Sequence, residues 1–211
     1  LVTVPNEILS QECSEVLQEE LPDYEAIAKE MIQIMIDSNG MGLAAPQVGI
    51  SKRIIVFLAD AGDGQLGEPV VMINPEVTEI SGEPDVAIEG CLSVPIFKIP
   101  VERPTHVCVS ALGTDGIRFD YQANNHIARC IQHELDHING ITMLDYLDKA
   151  EQPKYVAIPK ELTDVEVSDN DDFPFVCIEV SGKQEVMDLY AAIFNELADY
   201  DFDLEASLES E

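Results

Sequence analysis

Two histidines four residues apart flank a carboxylate in the string His133-Glu134-Leu135-Asp136-His137. On a helix, residues i and i+4 stand one above the other, so both imidazoles can reach one cation. Glu134, one step around the helix, then stands beside any water on that cation, the arrangement of a metal-dependent hydrolase. The plain alternative is a solvated helix with incidental His and Glu. A catalytic site of this type takes three protein ligands and keeps one position open for water, so the third donor decides the chemistry. No histidine follows His137, and the downstream carboxylates Asp145 and Asp148 are too close in sequence to return easily to the site. Upstream stand Cys91, His106, His126 and Cys130. His126, Cys130, His133 and His137 share one helix face, yet at 1.5 Å per residue His126 and His133 are about 10 Å apart and cannot share an ion. Cys130 is within reach. Cys91 sits in Glu89-Gly90-Cys91-Leu92-Ser93, which presents a thiolate at a turn, with a small buried hydrophobe as its alternative.

A third stretch, Gly40-Met41-Gly42-Leu43-Ala44-Ala45-Pro46-Gln47-Val48-Gly49, is rich in small residues. It lacks the Gly-Lys-Ser/Thr of a phosphate loop and follows a helix instead of opening one. Its small side chains permit close backbone approach, and Gln47 offers an uncharged amide donor. A helix cap followed by a tight turn is the competing reading.

These residues need elements to position them. Tyr24, Ile27, Ala28, Met31, Ile32 and Met35 recur at helical spacing after Pro22-Asp23, and Asn39-Gly40 ends the run, which predicts a helix at about 24–37. From Arg53 to Tyr121 short β-rich runs (IIVFLA, VVMINP, HVCVSAL, IRFDY) alternate with Gly, Pro and Asp, the pattern of a meandering antiparallel sheet. A second helix, about 124–139, opens at Asn124 and closes at Gly140. Helix, strands and helix in blocks, without βαβ alternation, predict an α+β fold. There is no internal repeat.

Charge divides the chain. It carries 11 basic and 41 acidic residues, a formal net charge of −30, and residues 161–211 hold 16 of those acids and one of those bases. A boundary is expected near Pro159, giving a catalytic domain over 1–160 and an acidic C-terminal extension over 161–211. Within the extension, residues 164–172 read as a linker, Asp169-Asn170-Asp171-Asp172 as a superficial calcium loop lacking the required Gly and Glu, FVCIEV as a strand, 183–198 as a helix and 199–211 as disordered. So few cations disfavour nucleic-acid binding. No apolar run approaches the roughly 20 residues of a membrane helix, so a soluble chain is expected. The first thirty residues carry eight acids and one base, the reverse of a targeting peptide, and the five cysteines form no disulfide framework. A reducing compartment is expected.

GMGLAAPQVG, EGCLS and QHELDH, in this order, resemble the three signature motifs of the peptide deformylase family over roughly residues 5–148. The resemblance implies antiparallel sheets around a central helix carrying the HExxH string, with Cys91, His133 and His137 as metal ligands and Glu134 as general acid/base. It implies Gln47 and the Leu92 N–H as the oxyanion site, and one divalent ion, typically iron(II), replaceable by zinc, nickel or cobalt. The implied substrate is an N-formylmethionyl nascent peptide running strand-like past Met41, Gly42 and Gly90 in a cytoplasmic, monomeric enzyme. Cys130 joins the substrate-binding residues, and Arg103 matches a recurrent family arginine that supports the site or the substrate. Three departures stand out. Pro46 replaces a small or hydroxyl residue, His126 replaces a leucine lining the methionine pocket, and an acidic tail stands where bacterial members often carry a basic helix suited to ribosomal RNA. HExxH zinc endopeptidase activity and a non-enzymatic acidic interaction protein are the rival readings.

Overall fold

The computed structural model describes residues 1–62, 65–149, 154–159 and 175–199. In chain order these form α1 (Leu21–Asp37), β1 (Gly42–Ala44), β2 (Ile54–Gly62), β3 (Gln65–Cys91), β4 (Val94–Leu112) and β5 (Arg118–Asn124), then α2 (Asn125–Ile138), α3 (Asp145–Lys149), β6 (Lys154–Pro159), β7 (Phe175–Val180) and α4 (Lys183–Asp199). Helix α1 starts earlier than its apolar spacing predicts because Pro22, whose missing N–H is no loss in a first turn, lies inside the helix. The strands make one antiparallel sheet in the order β1-β2-β3-β4-β6-β7, with β5 paired to β4. The α+β expectation holds.

Two strands are much longer than the runs predict. β3 spans 27 residues and β4 spans 19. Their Gly and Pro residues, which read as turns in the sequence, are absorbed by register shifts at Ile73/Glu76, Val77/Glu79, Ser81/Pro84 and Gly90/Cys91. Such shifts bend a strand without ending it. α3 and β6 have no counterpart in the sequence reading.

Helix α2 packs into the sheet. Its Ile127, Ala128, Ile131, Leu135 and Ile138 are buried against Ile55, Phe57, Met72, Val107 and Val109. Full burial of side chains of this size is worth about 1.5–3 kcal/mol each, so the position of α2 is strongly specified. Gly140 closes the helix at φ 72°, and a Cβ there would lie 2.9 Å from the backbone of Ser10 and Gln11. Only glycine fits that approach. A second cluster joins Leu9, Phe97 and Ile99 to Val156 and Ile158 of β6, Val180 of β7, and Val186 and Tyr190 of α4. The described part of the C-terminal extension is thus folded against the core. Asp169-Asn170-Asp171-Asp172, the rest of the 164–172 stretch and residues 200–211 lie outside the described residues. Among the described residues no helix is long and apolar enough to cross a membrane.

Candidate active site

Cys91 ends β3 and meets α2 from the side. Its Sγ lies 3.2 Å from His137 Nε2, and the donor atoms of Cys91, His133 and His137 all fall within 4.8 Å of one another. Among the described residues this is the one group of three His, Cys or acidic side chains close enough to share an ion. The helical spacing explains why the two rings converge, and the β3 hairpin supplies the thiol. Asp145 is engaged elsewhere: its Oδ2 accepts from the Thr142 N–H and hydroxyl, at 2.8 and 2.9 Å, and its Oδ1 accepts from Lys183 Nζ. Asp148 Oδ1 accepts from the Lys183 N–H. These two downstream carboxylates, the nearest in sequence that a zinc endopeptidase could use, are thus engaged away from the histidines, and among the described residues no carboxylate joins the Cys91, His133 and His137 cluster.

Glu134 is buried beside this cluster, and its Oε2 has no hydrogen-bond partner among the described residues. A buried carboxylate oxygen without a partner is costly, and an ion with its water beside it supplies what is lacking. Burial pushes the Glu134 carboxyl up to about 7, against the pull of His133 and Arg103. A carboxyl poised there can both take and return a proton near neutrality. Gly42 makes room for it, because a Cβ at that position would lie 2.5 Å from Glu134 Oε1 and 2.7 Å from Cys130 Sγ.

Gln47 follows β1 in a short 3-10 turn that begins with Ala45 and Pro46. Its Oε1 accepts from the Ala44 N–H at 2.7 Å, which fixes the amide and leaves Nε2 pointing toward Cys91 Sγ, 3.6 Å away. The small residues of this stretch let its backbone approach the helix, and Pro46 sits within the turn without disturbing Gln47. Met41, Gly42, Gln47, Gly90, Cys91, Leu92, His126, Cys130, His133 and Glu134 line one cleft of about 940 Å³, with His137 fully buried behind it. That volume lies in the range of small-molecule and cofactor sites. Cys130 is buried and its thiol pushed well up by burial and by Glu134, so it is a neutral lining group, while Cys91 belongs to the cluster with His133 and His137. His126 is exposed at the cleft.

Behind His133 lies a network that the sequence reading leaves almost unassigned. His133 Nδ1 is 2.9 Å from Glu89 Oε2. Burial opposes ionisation of Glu89, but His133 and Arg103 outweigh it and hold the carboxyl at about 2. A carboxylate only accepts, so His133 Nδ1 donates and Nε2 is left for the cluster. Arg103 grips Glu89 with both Nε and Nη2, at 2.7 and 3.0 Å, and its Nη1 donates to Asp136 Oδ2 at 2.8 Å and to Tyr146 Oη at 3.0 Å. Arg129 Nη1 donates to Glu89 Oε1 at 2.8 Å. Arg103 is only 3% exposed, and its guanidinium is engaged with Glu89, Asp136 and Tyr146. Glu89, Asp136, Tyr146 and Arg129 are the site residues missed. The signal for Glu89 is its place two residues before Cys91, since strand residues i and i+2 share a face.

Comparison with known proteins fits this geometry. A family model described as polypeptide deformylase matches residues 1–153. A peptide deformylase of Agrobacterium fabrum is 36% identical over 149 residues, covering 71% of this chain and 86% of that protein. One from Bartonella henselae is 40% identical over 149 residues, covering 71% and 84%. Among solved structures, a peptide deformylase from Synechococcus elongatus in complex with actinonin is similar with a TM-score of 0.63 and 38% identity, over 69% of this chain and 78% of that one. A class I type b peptide deformylase from Acinetobacter baumannii bound to Met-Ala-Ser gives a TM-score of 0.62 and 38% identity, over 67% and 94%.

Proposed function

The chain belongs to the peptide deformylase family, metal-dependent hydrolases that remove the N-formyl group from nascent peptides, and on that premise we propose that Cys91, His133 and His137 hold its ion and Glu134 is its general acid/base. The observation that carries the reading is the convergence of three donors beside a buried carboxylate oxygen that has no other partner among the described residues. The mixed thiolate and imidazole set is compatible with iron(II), zinc, nickel or cobalt alike, and it is the family resemblance that favours iron(II). A divalent ion there supplies a Lewis acid that acidifies water and polarises the formyl oxygen.

The chain's own residues do the rest. Glu134 accepts the proton of the attacking water as its oxygen bonds to the formyl carbon. The Gln47 amide and the Leu92 N–H donate to the oxyanion that develops, where preorganised donors are worth most. When the C–N bond breaks, Glu134 returns the proton to the leaving amine, giving formate and a free N-terminus. The peptide runs extended past Met41, Gly42 and Gly90, with Cys130 and His126 beside the methionine side chain. The same reading places the reaction in the cytoplasm, in keeping with five free cysteines, and the acidic extension argues against docking on ribosomal RNA.

The test is anaerobic purification with metal analysis, followed by formate release from a formyl-Met peptide. Wild type should hold stoichiometric metal and release formate, Cys91→Ala should lose the metal, and Glu134→Gln should keep it with most activity gone. Stoichiometric metal in Cys91→Ala, or near-normal turnover by Glu134→Gln, rejects the assignment.

A further inference from the structure

The cleft continues beyond the residues that the reaction uses. Past Cys91 its wall runs through Pro95, Ile96 and Lys98 of β4 to Phe175, the first described residue of the C-terminal extension. Phe175 is half-buried and is held in place by backbone pairing of β7 with Pro159 of β6. The Lys98 ammonium stands 4.6 Å from the centre of its ring, close enough for a cation to be attracted to an aromatic face. Lys98 lies opposite Gly90 across the β3–β4 ladder, and a Cβ on Gly90 would meet only Lys98 Cγ, at 4.0 Å. The lysine stem therefore bridges the strand beside Cys91 to the aromatic ring.

The surface so formed is apolar. On β3, Ile88 lines the same cleft and leaves 61% of its surface exposed. Ile96 is held at φ 69°, where a β-branched residue is strained, and such strain persists where the surrounding structure imposes it. Large apolar side chains facing an open cleft gain free energy when a ligand covers them. The other cations that line the cleft, Arg103 and Arg129, are committed to Glu89. The cleft is continuous from the ligand cluster to this patch, so its occupant is the same peptide.

We propose that Phe175, delivered by the C-terminal extension, is a specificity-determining residue, and that with Ile88, Ile96 and the Lys98 stem it forms a subsite for a large apolar side chain downstream of the formylated methionine. This rests on the deformylase reading and extends it. An extended peptide advances about 3.3 Å per residue, so residues soon after the methionine are those that travel along this wall. The gain is ordinary burial, equal in ground and transition states, and it is felt in KM.

The experiment uses the full chain, metal-loaded, with formyl-Met-Ala-Ser and formyl-Met-Ala-Phe as a matched pair, and the corresponding pair with Phe in second place. Wild type should prefer the Phe-containing peptides, and Phe175→Ala should reduce that preference about tenfold through KM, with kcat and the Ala-Ser peptide unchanged. Phe175→Leu should keep most of the preference, which separates loss of the subsite from loss of folding. The chain has no tryptophan, so Phe175→Trp places a single reporter in the wall. Its emission should change and saturate on titration with the product Met-Ala-Phe and stay constant with methionine alone. An unaltered preference in a folded Phe175→Ala protein, or emission blind to the product peptide, overturns the subsite. Failure of the metal-loaded wild type to release formate from every formyl-Met peptide overturns the deformylase reading itself.

Discussion

At the scale of single residues, the site is held by its buried ion pairs as much as by its ligands. Glu89 accepts from His133, Arg103 and Arg129 at once, and Arg103 is nearly inaccessible. Removing one partner of such a pair leaves a buried charge uncompensated, at a cost of about 3–5 kcal/mol. Glu89→Gln should therefore lower the urea midpoint markedly and, because His133 loses the acceptor that fixes its tautomer, weaken metal binding by about 10–100-fold. Chelator competition measures the second effect, and unchanged metal affinity would remove Glu89 from the site. Gly42→Ala is the complementary case. Its Cβ would fall 2.5 Å from Glu134 Oε1, so the carboxylate must move while the three donors stay in place. The metal content should hold and kcat should fall about 10²-fold, the usual effect of a displacement of about 1 Å. A kcat near wild type would mean that Glu134 has room which the backbone does not show.

At the scale of elements, what could be read from the sequence was whatever repeats locally. The apolar spacing of residues 24–37 and the His133/His137 interval reveal α1 and α2, because helical neighbours are near in sequence. β3 and β4 are hidden because their Gly and Pro residues look like turns until a partner strand shows them to be bulges. Glu89 stays unassigned for the same reason, since its shared face with Cys91 appears only once β3 is known to run to Cys91. The attachment of α4 is likewise a long-range matter. Lys183 Nζ donates to Asp145 Oδ1 at 2.6 Å, joining the start of α4 to α3. Burial would raise the Asp145 carboxyl, but Lys183 and Thr142 hold it below the ordinary value. A carboxylate lowered in the folded state stabilises above its unfolded pKa of about 3.9, and that contribution disappears as pH falls below it. Lys183→Met should cost up to about 1 kcal/mol at pH 6, the pair being partly exposed, and the gap to wild type should stay constant down to about pH 4 and narrow as pH falls from there through the lowered folded-state pKa of Asp145. A gap independent of pH would show that the lysine acts through packing alone.

At the scale of the whole molecule, the dominant quantity is the formal charge of −30. With only 11 basic residues for 41 acidic ones, most carboxylates have no cation to face, and the buried Arg103 and half-buried Arg129 are both committed to Glu89. The extension adds to the burden, since it holds 16 of the acids and one base while β7 and α4 bury apolar side chains in the common core. Its folding therefore trades apolar burial against repulsion of like charges. The two terms respond differently to salt. Screening shortens from about 10 Å at 0.1 M to about 3 Å at 1 M and weakens repulsion between exposed carboxylates, whereas the buried pairs around Glu89 lie out of its reach. Stability should consequently rise with sodium chloride, each kcal/mol recovered lifting the Tm of a chain this long by about 2–4 °C. Replacing exposed acids such as Glu179 of β7 and Asp188 of α4 by glutamine and asparagine should raise the Tm at low salt and reduce the salt response together. Calorimetry of the metal-loaded chain between 0.05 and 1 M sodium chloride makes the comparison, and a Tm that stays flat or falls would mean that the carboxylates are too well solvated for their repulsion to oppose the fold.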